Sequence, residues 1–201
     1  MKLIIIIGPS GSGKTTISKK ILKKIGNGKI LNTDDYYKTG IISLILSKIV
    51  NYYFDRKISF NFNLFKRDLD FILKNGYSNF YYKYNFKEKS IKKIYKKSKN
   101  IRFIIIEGIF AKEIIKKIPT NNFILIKLNT NKKTCMRRVI KRDSEERGKT
   151  KFQAKRDFLN AWELFHKNNN KRIFQNYLKK IIIKKGTLRK KLIKKIISTL
   201  N

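Results

Sequence analysis

A glycine-rich segment near the start of the chain has the residue types and spacing of a phosphate-binding loop. Residues 8–15 read Gly-Pro-Ser-Gly-Ser-Gly-Lys-Thr and fit G-x-x-x-x-G-K-[ST] at every specified position. In this motif backbone amides converge on phosphates at a helix N-terminus, the lysine contacts the β- and γ-phosphates, and the final hydroxyl ligates Mg²⁺. The segment therefore predicts that the protein binds ATP or GTP, as phosphoryl donor, together with Mg²⁺. The alternative is a glycine-rich turn with no nucleotide role. The predicted nucleotide-binding residues are Gly8, Pro9, Ser10, Gly11, Ser12, Gly13, Lys14, Thr15 and Thr16.

Acidic residues follow two predicted strands, at the edge where a parallel sheet presents its functional groups. Asp34 comes after a short strand around Lys29–Asn32, and a carboxylate at this position can accept the proton of an attacking hydroxyl. Asp35 could instead be the residue that points inward, and a helix N-cap is the alternative for either one. Glu107 ends the apolar run Ile104–Ile106, and because an unpaired buried carboxylate is costly, we expect it to face a metal ion.

Four arginines surround a polar interruption in a helical pattern. The sequence from Asn131 to Phe165 is helical and highly charged, and the segment Asp143–Thr150 interrupts it. Guanidinium groups there could clamp a phosphoryl group during transfer through charge-assisted, often bidentate, hydrogen bonds. A solvated charged helix is the alternative. The four residues are Arg137, Arg138, Arg142 and Arg147.

The elements that must position these groups follow an α/β pattern, because apolar runs of strand length alternate with helical periodicity. The first helix should end near Gly26, and its apolar face is formed by Ile17, Ile21, Leu22 and Ile25. Strands buried on both faces and separated by helices indicate a mainly parallel sheet with helices on both faces, the P-loop NTPase architecture. The predicted strands are Leu3–Ile7, Lys29–Asn32, Phe103–Ile106, Phe123–Leu128 and Ile181–Ile183.

Two further elements complete the predicted architecture: an aromatic β-hairpin over about residues 79–97 and an Arg-rich lid over about residues 137–150. Aromatic side chains alternate with period two from Phe80 to Phe86, the polar Lys87–Ser90 follow, and Ile91–Tyr95 could form the returning strand. An edge hairpin whose aromatic residues merely pack on the core is the alternative. The stretch Leu188–Leu200 has apolar residues on one helical face and predicts a covering helix.

Length, composition and charge limit the class of protein. At 201 residues with 41% hydrophobic residues and a single cysteine, the chain should fold as one domain, 1–201, without disulfides. No apolar stretch reaches the ~18–20 residues of a membrane span, so we expect a soluble, cytoplasmic protein with no membrane partner. The net charge of +37 ordinarily suggests nucleic acid. However, lysines spread along the whole chain, and Lys, Ile and Asn share A/T-rich codons, so we expect only non-specific nucleic-acid binding. The sequence does not decide whether the protein forms a homo-oligomer.

Several segments together resemble the uridine kinase family, which phosphorylates the 5′-hydroxyl of uridine and cytidine. The resemblance runs from the phosphate-binding loop to about Tyr177. Its most specific part is residues 137–148, Arg-Arg-Val-Ile-Lys-Arg-Asp-Ser-Glu-Glu-Arg-Gly, which is similar to the family's R-R-x-x-R-D-x-x-E-R-G lid. The other matching segments are Asp34-Asp35-Tyr36-Tyr37 (D-x-[YF]-Y), Phe60-Asn61-Phe62-Asn63 (F-N-F-D), Tyr84-Asn85-Phe86 (Y-D-F) and Ile106-Glu107-Gly108-Ile109 (E-G-I).

The resemblance implies a role for each matching position. Asp34 would be the catalytic base, and Thr15 and Glu107 would lie on the metal side. The lid arginines Arg142 and Arg147 would contact the donor phosphates and, with Lys14, complete the catalytic set. The implied acceptor-binding residues are Tyr37, Asn63, Tyr84, Phe86 and Arg138.

The chain departs from the family pattern where the family holds its nucleoside. Asn63 stands in place of the acid that holds the ribose hydroxyls, and Lys89 in place of a histidine just after the hairpin motif. Lys149 replaces an arginine after the lid glycine, and Asp157 falls where a glutamine contacts the pyrimidine. Lysine lacks the combined donor and acceptor capacity of histidine. Phosphoryl transfer is therefore better supported than uridine as its recipient.

Three functions follow as hypotheses. The first is an ATP- or GTP-dependent kinase with a small-molecule nucleoside, uridine or cytidine, as its partner. The second keeps the machinery but acts on another small hydroxyl compound, such as nicotinamide riboside, pantothenate or a sugar phosphate; the aromatic hairpin favours a planar base. The third is a degenerate nucleotide-binding or RNA-binding protein, against which the intact Lys14, Thr15, Asp34 and Glu107 argue.

Overall fold

The computed structural model describes residues 1–115, 117–118, 123–169, 179–184 and 198, and a parallel sheet forms its centre. The described strands are β1 (Lys2–Ile7), β2 (Gly28–Asn32), β3 (Ser78–Asn85), β4 (Ser90–Ser98), β5 (Phe103–Glu107), β6 (Phe123–Asn129) and β7 (Lys179–Lys184). All but β3 and β4 join one sheet in the order β2-β5-β1-β6-β7, with every neighbouring pair parallel. The five strands that the apolar runs predict are confirmed.

The described helices are α1 (Lys14–Ile25), α2 (Ile41–Ile49), α3 (Phe62–Asn75), α4 (Ala111–Ile115), α5 (Lys132–Glu146) and α6 (Lys151–Asn169). α1 ends at Gly26, as its sequence predicts, and the amide of this glycine donates to the carbonyl of Leu22 over 2.9 Å. Side chains cap two others: Asn61 accepts from the third residue of α3, and Asn131 does the same for α5. Local sequence therefore sets where these helices begin and end.

The strand register brings the functional residues to one edge of the sheet. Ile5 in β1 lies beside Ile106 in β5 and Leu125 in β6, so these three parallel strands run side by side towards the same edge of the sheet. Asn32 at the end of β2 pairs with Glu107 at the end of β5. The phosphate-binding loop after β1, the aspartates after β2 and the acid that ends β5 therefore share the carboxyl edge, where α/β sheets bind ligands.

Alternate strand residues pack against helices on opposite faces of the sheet. Ile4 and Ile6 of β1 belong to a buried cluster with Ile17 and Ile21 of α1. Ile5 belongs to a second cluster, on the other face, with side chains from α3, α4 and the hairpin. A small third cluster between α5 and α6 contains Cys135, Val139 and Phe158. The prediction of helices on both faces is confirmed.

Strands β3 and β4 form an antiparallel hairpin beyond the sheet, where the alternating aromatic pattern placed it. Tyr84 pairs with Ile91 and Phe80 with Tyr95. The backbone amide of Tyr84 donates to Asp35 Oδ1 over 3.1 Å, which anchors the hairpin to the turn after β2. The aromatic residues of β3 that face the core can therefore reach the carboxyl edge of the sheet.

Two predictions concern the C-terminal half of the chain. The helical pattern from Asn131 is interrupted between α5 and α6, at residues 147–150, as the polar sequence there indicates. The covering helix predicted over Leu188–Leu200 lies outside the described residues, apart from Ser198. Within the described ranges, no helix combines the length and the apolar character needed to cross a membrane.

Candidate active site

The phosphate-binding loop joins β1 to α1 through a backbone that glycine adopts most readily. Gly11 and Gly13 have φ values of +75° and +96°. A Cβ on Gly11 would also lie 2.5 Å from the carbonyl oxygen of Cys135, so the loop has no room for a side chain there. In contrast to α3 and α5, no described side chain caps the N-terminus of α1. The first-turn amides of α1 are thus available to an anion, which suits a phosphate.

Lys14 opens α1, and its ammonium group turns back over the loop. Nζ donates to the carbonyls of Gly8 (3.0 Å) and Pro9 (3.1 Å), and the side chain is buried. Burial lowers the pKa of this ammonium group, while the negative charges of Asp34 and Glu107 oppose that shift. A phosphate entering the loop would meet this cation at the start of the helix.

Thr15 and Glu107, the predicted metal-side residues, are in direct contact. The Thr15 hydroxyl donates to Glu107 Oε1 over 2.8 Å. Glu107 is 1% exposed, and burial raises the pKa of its carboxyl to about 6. Mg²⁺ is commonly held by one or two such oxygens together with substrate phosphates. Because no group of three acidic, histidine or cysteine side chains within the described ranges could hold a metal alone, this pair fits an ion that shares its ligands with a bound phosphate.

The neighbouring aspartates after β2 have different contacts. Asp34 lines a cleft of about 290 Å³ that also contains several aromatic side chains. Its Oδ1 accepts from the amide of Ile109 over 3.0 Å. Asp35 instead holds the hairpin through the amide of Tyr84. Neither aspartate is an N-cap, because the side chain of Asn32 caps the 3₁₀ turn that contains both. The geometry therefore favours Asp34 over Asp35 as the carboxylate that meets an acceptor.

Gly108 allows the loop after β5 to close against Asp34. Its φ is +122°, in the region that favours glycine, and a Cβ there would lie 2.0 Å from Thr33 Oγ1 and 2.7 Å from Asp34 Oδ1. Any side chain at this position would displace Asp34 from the Ile109 amide. The sequence shows this glycine within the E-G-I match but gives no reason for it, and the close approach supplies one.

A buried carboxylate orders the two lid arginines. Asp143, 4% exposed, accepts from Nε and Nη2 of Arg142 over 2.8 and 2.7 Å, and Nε of Arg147 lies 3.5 Å from the same oxygen. The Arg147 guanidinium also lies 3.6 Å from the ring centroid of Phe86. Burial lowers the pKa of Arg147, and the neighbouring charge of Arg142 lowers it further. Both arginines line the cleft that contains Asp34.

Arg138 lies beside the phosphate-binding loop. Its Nη1 donates to the carbonyl of Gly11 over 3.1 Å, and it does not line the cleft. Arg138 is one helical turn before Arg142 on α5, but its side chain contacts the loop, whereas Asp143 holds Arg142 at the cleft. The resemblance implies that Arg138 faces the acceptor. The structure instead keeps this residue away from the predicted acceptor-binding aromatics.

An aromatic cleft of about 290 Å³ lies beside Asp34. The predicted acceptor residues Tyr37, Tyr84 and Phe86 come together in its wall, with ring centroids 4.9 Å apart for the first pair and 5.0 Å for the second. Phe54 adds a fourth ring, 5.4 Å from Tyr37. The polar residues that line the cleft are Ser10, Asp34, Asp55, Lys89, Arg142, Asp143, Arg147, Lys149 and Asp157.

Asn63 lies outside this cleft, whereas Asp55, a residue that the sequence analysis does not single out, lies in it. Asn63 is exposed in the first turn of α3, two residues after the capping Asn61. Asp55 lines the cleft, and burial raises the pKa of its carboxyl to about 6. The available signal was an acid directly after the aromatic run Tyr52–Phe54, in a chain with only 13 acidic residues. Asp55 therefore adds a carboxylate to the cleft that the resemblance does not assign, although position 63 carries an asparagine.

The other departures from the family pattern do lie in the cleft wall. Lys149 Nζ forms an ion pair with Asp157 Oδ2 at 2.8 Å. Lys89 Nζ donates to the Ser47 hydroxyl over 3.2 Å and lies 5.8 Å from the ring centroid of Phe54. The cleft thus presents ammonium groups and a carboxylate at positions where the resemblance implies arginine, histidine and glutamine.

Comparison with known proteins agrees with this site. The family model described as Phosphoribulokinase / Uridine kinase family matches residues 3–179. A uridine kinase of Staphylococcus haemolyticus is 30% identical over 167 residues, which cover 82% of this chain and 79% of the relative. A uridine kinase of Staphylococcus aureus is 29% identical over 165 residues, with the same coverage.

Solved structures of kinases share the fold. A protein of Silicibacter sp. TM1040 described as a fructose transport system kinase has a TM-score of 0.62 and 17% identity, and the match covers 89% of this chain and 88% of that one. D-glycerate 3-kinase from Cryptococcus neoformans var. grubii has a TM-score of 0.60 and 13% identity, with 90% and 85% covered. At these identities the likeness concerns the fold alone. On its site and its family match, this chain belongs to the Phosphoribulokinase / Uridine kinase family and is a P-loop phosphotransferase of the nucleoside kinase type.

Proposed function

We propose that this enzyme transfers the γ-phosphoryl group of ATP or GTP to the 5′-hydroxyl of a pyrimidine nucleoside, uridine or cytidine. The observation that carries the proposal is a single cleft that contains Asp34, Arg142 and Arg147 together with an aromatic wall. Ser10 of the phosphate-binding loop lines the same cleft, so donor and acceptor sites adjoin. The name of the relatives described above supports the choice of acceptor.

In the proposed reaction the 5′-oxygen of the acceptor attacks the γ-phosphorus while its proton passes to Asp34. The bond from the γ-phosphorus to the bridging oxygen breaks, and the nucleoside diphosphate leaves. The Ile109 amide holds Asp34 Oδ1 and so fixes the orientation in which the carboxylate meets the hydroxyl. Arg142 and Arg147, already ordered by Asp143, would stabilise the charge on the transferring group.

Thr15 and Glu107 would hold Mg²⁺ at the donor phosphates. When bound, the ion supplies charge neutralisation at the β- and γ-oxygens. The contact between the Thr15 hydroxyl and Glu107 keeps both oxygens on one side of the loop. Because the pKa of Glu107 is about 6, its carboxyl is mostly ionised near neutral pH and gains a proton in mild acid.

The aromatic wall and Asp55 would bind the nucleoside. A planar base can stack against Tyr84 and Phe86, whose rings meet edge to face. Asp55 is a half-buried carboxylate in the same cleft, and an ionised carboxylate accepts hydrogen bonds from a pair of ribose hydroxyls. This assignment gives the sugar-binding role to Asp55 in place of Asn63.

One observation favours a second class of acceptor. Lys89 and Lys149 bring ammonium groups to the cleft, which would suit an anionic hydroxyl compound such as pantothenate or a sugar phosphate. Lys149 is already paired with Asp157, however, so Lys89 is the main addition of positive charge. The four aromatic rings have a clear partner only in an acceptor with a ring, which includes nicotinamide riboside.

The test is a panel of acceptors incubated with Mg²⁺ and either ATP or GTP, with product mass and kcat/KM as readouts. The panel contains uridine, cytidine, adenosine, nicotinamide riboside, pantothenate and a sugar phosphate. We expect the 5′-monophosphates of uridine and cytidine as the main products. Lys14→Ala should abolish turnover, whereas Lys23→Ala, on the exposed side of α1, should not. Turnover of another acceptor but of no pyrimidine nucleoside would overturn the choice of substrate, and no product at all would overturn the proposed function.

A further inference from the structure

Helix α2 turns its apolar residues towards solvent. Its nine residues read Ile-Ile-Ser-Leu-Ile-Leu-Ser-Lys-Ile, and the one that is fully buried is Ser43. We define the α2 apolar face by its five exposed residues, which are between 42% and 76% exposed: Ile41, Ile42, Leu44, Ile45 and Ile49. At 3.6 residues per turn these side chains occupy about 160° of the helix circumference. A helix on a globular protein normally packs such a stripe against the core, so this surface calls for a partner.

Hydrogen bonds from the polar side of α2 hold the helix in this orientation. The Ser43 hydroxyl donates to the carbonyl of Lys38 over 2.8 Å and lies 3.1 Å from the hydroxyl of the buried Tyr53. One turn later, Ser47 accepts from the ammonium group of Lys89 over 3.2 Å. Rotating the helix to bury its isoleucines would break these contacts. The outward apolar face is therefore built into the structure.

The surroundings of α2 are basic. Lys48 is exposed on α2 itself, Lys38 and Arg56 are exposed on either side of the helix in the sequence, and the acid of this segment, Asp55, lines the cleft instead. The whole chain has 50 Lys and Arg against 13 Asp and Glu. An anionic surface complements this charge, whereas a second copy of the chain would bring another +37.

The size of the α2 apolar face also bears on its partner. A nine-residue helix is about 13 Å long and about 10 Å wide. A stable protein interface buries about 800 Å² on each side, which is several times this footprint. A lipid surface has no such minimum, because an interfacial helix inserts its apolar residues at the headgroup boundary while basic residues contact anionic lipids.

We propose that the α2 apolar face docks this enzyme peripherally on membranes rich in anionic lipid. The isoleucines enter the headgroup boundary, and Lys38, Lys48 and Arg56 contact the lipid phosphates. The net charge attracts any face of the protein to such a membrane, and α2 determines which face binds. No span is involved, so the proposal agrees with the lack of a spanning helix in the described ranges. It revises the expectation of no membrane partner, which rested on the absence of a spanning segment.

The first test is co-sedimentation of the full chain with vesicles. Vesicles of phosphatidylcholine alone are compared with equimolar phosphatidylglycerol and phosphatidylcholine, at low and at moderate salt. We expect binding to the anionic vesicles, and a loss of about tenfold or more in Ile45→Ser/Ile49→Ser because two large apolar side chains are removed. Phe152→Ser is the control, since Phe152 is also a large exposed apolar residue, at 75%, but lies on α6. It should bind as the wild type does.

Three results would overturn the proposal. Absence of wild-type binding to the anionic vesicles is the first, and equal binding by wild type and Ile45→Ser/Ile49→Ser, which would mean that charge alone acts, is the second. The third is a lipid-free oligomer that becomes a monomer in this variant, measured by light scattering, which would assign the face to a second copy. Ile41→Ser/Ile42→Ser is a second variant in case the first fails to fold by circular dichroism. Both pairs are exposed, so both should retain the wild-type melting temperature.

Discussion

Removal from solvent shifts the pKa of several ionisable side chains of the candidate site towards the neutral form, among them Lys14, Asp55 and Glu107. The pKa of Lys14 is lowered, and those of Asp55 and Glu107 are raised to about 6. In the free enzyme, keeping each of these groups charged therefore lowers the free energy of unfolding. The proposed occupants of the site, the triphosphate with its metal ion and the acceptor hydroxyls, would interact with these charges. The residues that we assign to function are therefore expected to reduce the stability of the free protein.

The first prediction concerns Glu107. Because its folded-state pKa of about 6 lies above the ordinary value of 4.5, the wild-type carboxyl contributes stability below 4.5 that is lost as the pH rises through about 6. Relative to wild type, Glu107→Gln should therefore gain about 2 kcal/mol in free energy of unfolding on going from acid to alkaline pH. Denaturant unfolding at pH values well below 4.5 and well above 6 measures this change.

Asp70→Asn, which replaces an exposed carboxylate on α3, serves as its control. A Glu107→Gln difference that is the same at both pH values would contradict the assigned pKa shift. Turnover should fall in Glu107→Gln even where its stability rises, since Thr15 would lose its charged partner.

The second prediction separates the two aspartates. Asp34→Asn should fold and bind nucleotide but lose about 10²–10⁴-fold in kcat, because it removes the proposed base. Asp35→Asn keeps an oxygen that can accept from the Tyr84 amide, so its kcat should change far less. The measurements are kcat with the preferred acceptor and the Kd of the donor for both variants. A large loss in Asp35→Asn with near-normal Asp34→Asn would assign the base to the neighbouring residue.

At the scale of elements, the sequence predicts the strands and helices whose apolar or aromatic residues recur at regular spacing. It does not predict the segments that lack such a pattern. The apolar runs of the sheet strands, Gly26 at the end of α1 and the alternating aromatics of β3 all follow simple spacing rules. Asp55 lies between α2 and α3, in a segment of 3₁₀ turns that has no repeating pattern, and its place in the cleft depends on tertiary packing. Periodicity also cannot tell whether an apolar helical stripe faces the core or, as in α2, the solvent.

The positions of the lid arginines follow from helix geometry that only the structure reveals. Arg138 and Arg142 are one turn apart on α5, yet one reaches the phosphate-binding loop and the other lines the cleft. The difference comes from Asp143, which draws Arg142 and Arg147 together at the C-terminal end of the helix. The motif shows that these residues belong together but not which carboxylate orders them.

The third prediction tests this carboxylate as a positioning residue. Asp143→Asn preserves shape but removes the charge that Arg142 and Arg147 share, so the arginines should lose their common orientation. We expect kcat to fall about tenfold or more, with a smaller change in the KM of the acceptor. Glu145→Gln, two residues further along α5 and exposed, is the control and should retain kcat. A lower melting temperature with unchanged kcat would show that Asp143 only stabilises the C-terminal end of α5.

At the scale of the whole molecule, charge is the dominant feature. The chain carries +37, and the lysines lie on nearly every element. Ion pairs such as Lys92–Glu88 and Lys141–Glu145 are exposed on both sides, and such pairs contribute little to stability. The folded state therefore brings many like charges closer together than the unfolded chain does, which opposes compaction.

The last prediction follows from this self-repulsion. Added NaCl shortens the Debye length from about 30 Å at 0.01 M to about 10 Å at 0.1 M, so it should weaken repulsion between distant lysines while leaving buried contacts intact. A gain of about 1 kcal/mol would raise the melting temperature of a domain of this size by about 2–4 °C. Thermal melts across this salt range measure the effect.

Lys14→Ala, which disrupts the phosphate-binding loop but leaves the surface charge nearly unchanged, should show the same salt response. Phosphate at matched ionic strength should stabilise the wild type further and Lys14→Ala less, because only the wild type retains the full anion site. A melting temperature that stays flat or falls with NaCl would mean that the surface charges are already neutralised by local contacts.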